Sequence, residues 1–169
     1  MKVARRLKPR SWGAQVDRMR GRWPEMRRVD VVADNTVAWI GPLRGFQMSY
    51  RVQVQWNWIA SPSRPLVFVL EPTLRPRLGE RFIDIRHLIV DRKTPERFAH
   101  CLFDPAAGEW DDTMWIADTT VPWASEWLHH YELWHVDGVW RGANAPGPIS
   151  VGAGLGHEKE RTVHVEGQG

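Results

Sequence analysis

Residues 50–59 read YRVQVQWNWI. Tyr50, Val52, Val54, Trp56 and Trp58 alternate with Arg51, Gln53, Gln55 and Asn57. Period two sustained over nine residues is the mark of a strand with one dry face and one wet face. A strand of that kind needs neighbours, and the flanks supply them. VDVVA (29–33) is short and β-branched, and NTVAWIGPLRG (35–45) is a strand between a turn residue and a Gly/Pro exit. SPSRP (61–65) is a turn. LVFVL (66–70) is apolar throughout, which predicts a strand covered on both faces. Together these predict a meander of four antiparallel strands.

Helices bracket the meander. Trp12, Val16, Met19 and Trp23 recur at spacings of four, three and four, so residues 11–23 predict an amphipathic helix with that stripe buried. Ser11 suits its N-cap, and Gly21 and Pro24 stop it near Arg22 or Trp23. After the meander, Pro72, Pro76, Gly79 and Pro95 break the pattern from Glu71 to Cys101. A long irregular stretch inside a compact domain often carries function. Helix returns where Pro122 fits a first turn, with Trp123, Trp127, Tyr131 and Trp134 as its core stripe and Gly138 as its stop. Residues 143–169 hold no aromatic residue and are rich in glycine. The expectation is one α+β domain over 1–142 and a flexible tail over 143–169.

Composition narrows the class. No apolar run approaches the roughly 18–20 residues of a membrane span, and no apolar segment follows the basic N-terminus as in a secretory leader. One cysteine forms no internal disulfide, which points to a cytoplasmic protein with a reduced thiol. Net charge is +3, but residues 1–28 hold ten Lys/Arg against two Asp/Glu, a local +8 that leaves the remainder at −5. Such a basic element is either a docking surface for an acidic partner or a solvated helix face. Nucleic acid would suit it too, but no nucleic-acid motif accompanies it.

The single thiol lies in HCLFDPAAGEW (100–110). Three readings stand open on the residues alone. Cys101 is a buried small hydrophobe; or it is a metal ligand beside His87, His100, His129 or His130; or it is a nucleophile. CxxC and HxxxH spacings are both missing. The nucleophile reading draws on the position of Cys101 at the end of the irregular stretch, beside the Pro105–Gly108 turn, with His87 and His100 able to tune a thiolate. A hydrolase needs a dedicated base and an orienting group, and no such spacing is present. Acyl carriage asks for less: an accessible thiol, an oxyanion donor and a shallow groove.

Three stretches carry a resemblance: YRVQVQW leading to RPLVFVLEP; RHLIV followed by HCLFDPAAGEW; and ADTTVPWASEWLHHYELWHVDGVWRG. Over about residues 35–142 the chain resembles the prokaryotic ubiquitin-conjugating-enzyme-like family, in particular the members encoded in cyclic-oligonucleotide-based antiphage signalling (CBASS) operons. The resemblance implies a ubiquitin-conjugating-enzyme-like fold: an N-terminal helix, a four-stranded antiparallel meander, an irregular catalytic segment and C-terminal helices. It makes Cys101 the residue that carries the C-terminal glycine of a partner protein as a thioester and passes it to an amine, usually a lysine of an acceptor protein. The partner would be the C-terminal tail of the operon's cGAS-like nucleotidyltransferase. His87 matches the histidine that precedes the cysteine in the family. Leu88 and Ile89 replace the Pro-Asn that follows it in eukaryotic relatives, and DRKTPERFA (91–99) lengthens the spacing to Cys101.

Attack by a lysine needs a neutral amine, which a nearby carboxylate can position or deprotonate. Asp104 and Asp111 are the candidates, with Glu109 and Asp112 close by in sequence. The basic N-terminal helix would offer a surface to an activating enzyme. No cofactor is implied, and no Gly-rich nucleotide loop followed by a helix is present. The rival classes are a non-catalytic binding module on the same fold, a basic nucleic-acid-binding protein and, more weakly, a cysteine hydrolase.

Overall fold

A computed structural model describes residues 7–31, 34–60, 63–91, 98–103, 107–142 and 149–151. Four strands form an antiparallel sheet in chain order: β1 (Arg27–Val31), β2 (Thr36–Arg44), β3 (Ser49–Asn57) and β4 (Leu66–Glu71). Trp39 faces Val54, Leu43 faces Tyr50, and Val52 faces Val69 across the ladders. The alternation in β3 holds: Tyr50, Val52, Val54 and Trp56 are buried, while Arg51 is exposed and Gln53 and Gln55 are half-buried. Trp58 falls past the strand in a turn and is only half-buried. Coverage of β4 is less complete than its apolar run predicts. Val67 and Phe68 are buried on opposite faces, whereas Leu66, Val69 and Leu70 are half-buried.

The buried face of the sheet meets two helices, and a single apolar cluster joins them. In α1 (Trp12–Arg22), Ser11 Oγ accepts from the Ala14 amide at 3.3 Å, and the Trp23 N–H closes the helix on the Met19 carbonyl at 2.8 Å. Val16 and Met19 are buried as the stripe requires. Trp12 is 37% exposed: at the first turn its ring meets Trp58, 5.8 Å between ring centres, and the Arg28 guanidinium at 5.5 Å. The most buried residue of the helix is polar: Gln15, at 0% exposure.

In α2 (Thr120–Asp137), Trp127, Tyr131 and Trp134 are buried and Trp123 is half-buried. Gly138 adopts φ 79°, a left-handed cap that a side chain would strain, and its N–H bonds the Trp134 carbonyl at 2.8 Å. Ser125 Oγ donates to the Arg44 carbonyl, and the Glu132 carboxylate accepts the Gln47 N–H at 2.7 Å, tying α2 to the β2–β3 turn. Among the described residues one helix follows the sheet, where the resemblance implied more than one.

The stretch from Glu71 to Cys101 is more ordered than its broken periodicity suggests. It holds a 3-10 turn at Phe82–Asp84 and two short strands, β5 (Leu88–Asp91) and β6 (Phe98–His100), which pair antiparallel. Strands of four and three residues are too short to display a period. A third strand, β7 (Ile149–Val151), pairs parallel to β5 on its other side. It belongs to the segment read as a tail; the rest of that segment lies outside the described residues, as do 92–97 of the charged insertion. The class is α+β, with one four-stranded antiparallel sheet, a second small sheet and two helices.

Much of the basic N-terminal charge is used inside the molecule. Arg18 donates to Asp118 through two nitrogens at 2.8 and 2.9 Å, and Arg22 approaches the same carboxylate at 3.8 Å. The Arg10 guanidinium donates from Nε to the Thr113 carbonyl at 2.8 Å and lies over the Trp115 ring at 4.4 Å, while its backbone N–H bonds the Asp112 carbonyl. Trp23 Nε1 donates to the Ala117 carbonyl. At the centre, Gln15 donates to the Met114 carbonyl at 2.8 Å and accepts the Ile116 N–H at 3.1 Å. Helix α1 is thus a clasp on the segment that leads from Trp110 into α2.

That clasp yields a stability test. Gln15→Leu keeps the volume but leaves a carbonyl and an N–H unpaired, which should cost about 2–4 kcal/mol. Arg20→Ala removes only an exposed pair with Asp17 and should cost under about 0.5 kcal/mol. Urea midpoints for the two variants check this, and a Gln15→Leu midpoint equal to the wild type would contradict it.

Candidate active site

The β5–β6 pairing decides where the thiol sits. Leu88 faces His100 in the register, so the next pair outward is His87 and Cys101. The Cys101 N–H donates to the His87 carbonyl at 2.7 Å and closes that end of the ladder. His87 has φ 59°, left-handed for a residue with a side chain, and it is the point where the chain turns into β5. The structure therefore brings together two residues that lie fourteen apart in the chain.

Cys101 is in no disulfide and is only 5% exposed. Its S–H is directed at the Phe103 carbonyl, 3.8 Å away, beneath the chain's own next residues. Phe103 stacks on Trp110 at 6.0 Å, which anchors that segment. The expectation of an open thiol at a cleft mouth is thus corrected: in this conformation the sulfur is covered. Phe103, whose carbonyl faces the S–H, is itself held by its stacking on Trp110.

The two histidines beside the cysteine divide. His87 is 7% exposed, and burial, with the charge of Arg86 adding to it, holds its pKa below the ordinary value, so it is neutral at pH 7. Its Nδ1 has no hydrogen-bond partner among the described residues. His100 is committed elsewhere. It stacks on Trp127 at 4.0 Å and 19°, and burial pushes its pKa down to about 3. It packs as a flat neutral ring, which corrects its expected role in tuning a thiolate.

Of the acids, Asp111 is exposed and its carboxylate accepts from Thr113 N at 2.8 Å and Thr113 Oγ1 at 2.6 Å. Those bonds hold its pKa below the usual carboxylate value, so it is a turn-forming anion and a weak base. Asp104 lies outside the described residues. Among the described residues no three His, Cys, Asp or Glu side chains are grouped so as to hold a metal ion.

An aromatic wall completes the site, and the sequence reading did not single out its key member. Trp140, just beyond the Gly138 cap, packs 5.3 Å from the His87 ring, 5.4 Å from Trp127 and 6.1 Å from His130. Its Nε1 is buried and has no partner among the described residues. A tryptophan directly after a helix stop, outside any stripe, was the available signal. No helix of the described residues is long and apolar enough to cross a membrane.

A protein-family model described as Type II CBASS E2 protein matches residues 15–148, most of the chain, and the chain belongs to that family. Membership gives it an E2-like role in CBASS antiviral defence. No curated protein matches it.

Two measurements follow from this geometry. A covered thiol should react with iodoacetamide at least about tenfold more slowly in the native protein than in urea, since native alkylation must await local opening; equal rates would contradict the burial. For His100, the folded pKa lies below the unfolded value near 6.5. Unfolded chains therefore take up the proton first, and stability falls as pH drops from about 6.5 toward 3, by up to about 1.4 kcal/mol per unit. Above that window the group contributes nothing. His100→Phe keeps a ring against Trp127 and should flatten the fall in urea midpoint between pH 7 and pH 5; an unchanged slope would contradict the assignment.

Proposed function

We propose that this member of the Type II CBASS E2 family is a cysteine-dependent protein-conjugating enzyme in which Cys101 carries an acyl group as a thioester. The observation that carries the reading is that the only cysteine of the chain lies within the family match and is fixed by its backbone to His87 at a strand end. The thiolate adds to the activated carbonyl of a partner's terminal glycine, a C–S bond forms, and the leaving group departs. An amine then attacks the thioester, a C–N bond forms, and Sγ leaves as the thiolate. The ammonium proton passes to solvent or to a nearby base. Neutral His87 supports the site as a positioning group, and Asp104 remains a proposed acid–base partner. Asp111, held by Thr113, suits an electrostatic role better than that of a base.

The proposed donor is the C-terminal tail of the operon's cGAS-like nucleotidyltransferase, and the proposed acceptor is a protein lysine. An activating enzyme docking on the basic N-terminal region would have to use cations such as Lys8, Arg20 and Arg27, since Arg10, Arg18 and Arg22 are engaged with the segment before α2. The burial of Cys101 sets one condition: the turn at Leu102–Phe103 must lift for acyl transfer. The same burial favours a second reading, a binding module on this fold with a silent thiol.

The two readings separate in co-expression with the operon's nucleotidyltransferase. Wild type should give a covalent adduct lost on hydroxylamine treatment at neutral pH. Cys101→Ser should give a slower adduct that resists reductant, and Cys101→Ala none. Partner binding without any adduct, equal in wild type and Cys101→Ala, would establish the binding module instead.

A further inference from the structure

The donor nearest to a reacting carbonyl at Cys101 is already spent. Cys101's own N–H is bonded to the His87 carbonyl at 2.7 Å. The negative charge that grows on an acyl oxygen during attack at Sγ must then meet other, preorganised donors. Two neighbouring rings carry buried nitrogens with no partner among the described residues: His87 at Nδ1 and Trp140 at Nε1. Their ring centres are 5.3 Å apart, and His87 is 7% exposed. A buried N–H left without an acceptor costs about 1–3 kcal/mol. An indole nitrogen can only donate, so what Trp140 lacks is an acceptor.

Trp127 Nε1 is also unpartnered, but its ring is 5% exposed and closed in by His100 and Tyr131 at 4.0 and 5.5 Å. Trp140 is half-buried as a residue, and its ring lies against that of His87, the residue whose carbonyl holds the Cys101 N–H. Gly142 packs beside that buried nitrogen with no side chain to crowd it. A Cβ at position 142 would lie 2.7 Å from Trp140 Nε1.

We propose that Trp140 Nε1–H, with His87 beside it, donates to the acyl oxygen of the thioester formed on Cys101, in the role that the missing Asn would fill. This rests on the thioester reading above. As the C–S bond forms, the carbonyl π pair moves onto oxygen and Trp140 holds it. The pair returns as the bond to the leaving thiol breaks, and the departing thiolate takes up the proton that Cys101 gave to solvent. In aminolysis the same oxygen is held while the C–N bond forms and the Cys101 thiolate leaves.

The test uses the full chain and two small reagents, each read by intact mass. The mercaptoethanesulfonate thioester of N-acetylglycine acylates Cys101 through an oxyanion; iodoacetamide alkylates the same sulfur without one. Trp140→Phe keeps the ring and removes the N–H. It should slow acylation by roughly a hundredfold while alkylation stays at the wild-type rate. Gly142→Ala, which removes no aromatic ring but crowds Nε1, should show the same selective loss. Acylation at the wild-type rate in both variants, or equal slowing of both reactions, overturns the proposal; the second result would mean that Trp140 governs access to the thiol. A wild-type protein that alkylates but never acylates would sink the thioester reading itself, and it is told apart because it needs no variant.

Discussion

One backbone hydrogen bond organises the candidate site. By accepting the Cys101 N–H, the His87 carbonyl closes the β5–β6 pairing and sets the only thiol opposite a buried imidazole. The left-handed turn at His87 delivers the chain into that position. The bond also has a chemical consequence. On the proposed thioester reading it takes up the Cys101 amide, so an acyl oxygen at Sγ would need other donors. The side chains available are rings, and several bury nitrogens without partners among the described residues.

Covering the sulfur and anchoring the loop are parts of the same arrangement. Phe103 leans on Trp110 and Trp123, and the turn that hides Cys101 is held by those contacts rather than by regular structure. Below it, α1 grips the chain between Asp112 and Asp118 through Arg10, Gln15, Arg18 and Trp23. The approach to α2 is therefore fixed by buried and bidentate bonds, whereas the turn over the thiol is fixed by ring packing. Opening is easiest where few hydrogen bonds must break, which places movement at Leu102–Phe103 and not at the base of the loop.

The meander and both helices were legible because each carries a long enough period. The alternation in β3 and the Trp stripe of α2 each span two or more repeats, and Ser11 and Gly138 mark helix ends with cap chemistry. What escaped was short, or polar where an apolar residue was expected. Strands β5 and β6 are below the length at which a pattern can show. Gln15 is buried because two loop amide groups need it, and such a need is invisible until the loop is folded against the helix. The arginines of residues 1–28 read as a docking surface or a solvated face, but charge counts do not reveal that Asp118 is waiting across the fold. In the site, Cys101 and His87 were legible as a pair through the family resemblance. The burial of the thiol, the stacking of His100 and the place of Trp140 depend on contacts between distant segments, which no local pattern encodes.

The proposed chemistry rests on one buried sulfur, the only thiol of a chain that belongs to the Type II CBASS E2 family. The most direct measurement is acid-quenched peptide mass spectrometry of the wild-type chain isolated from cells carrying its whole operon, without reductant at any step. The account requires the Cys101 peptide to carry the mass of a partner's C-terminal segment ending in glycine, and that mass to vanish on thiol treatment. A Cys101 peptide that is unmodified in every sample, while the operon still protects the cells, would contradict it.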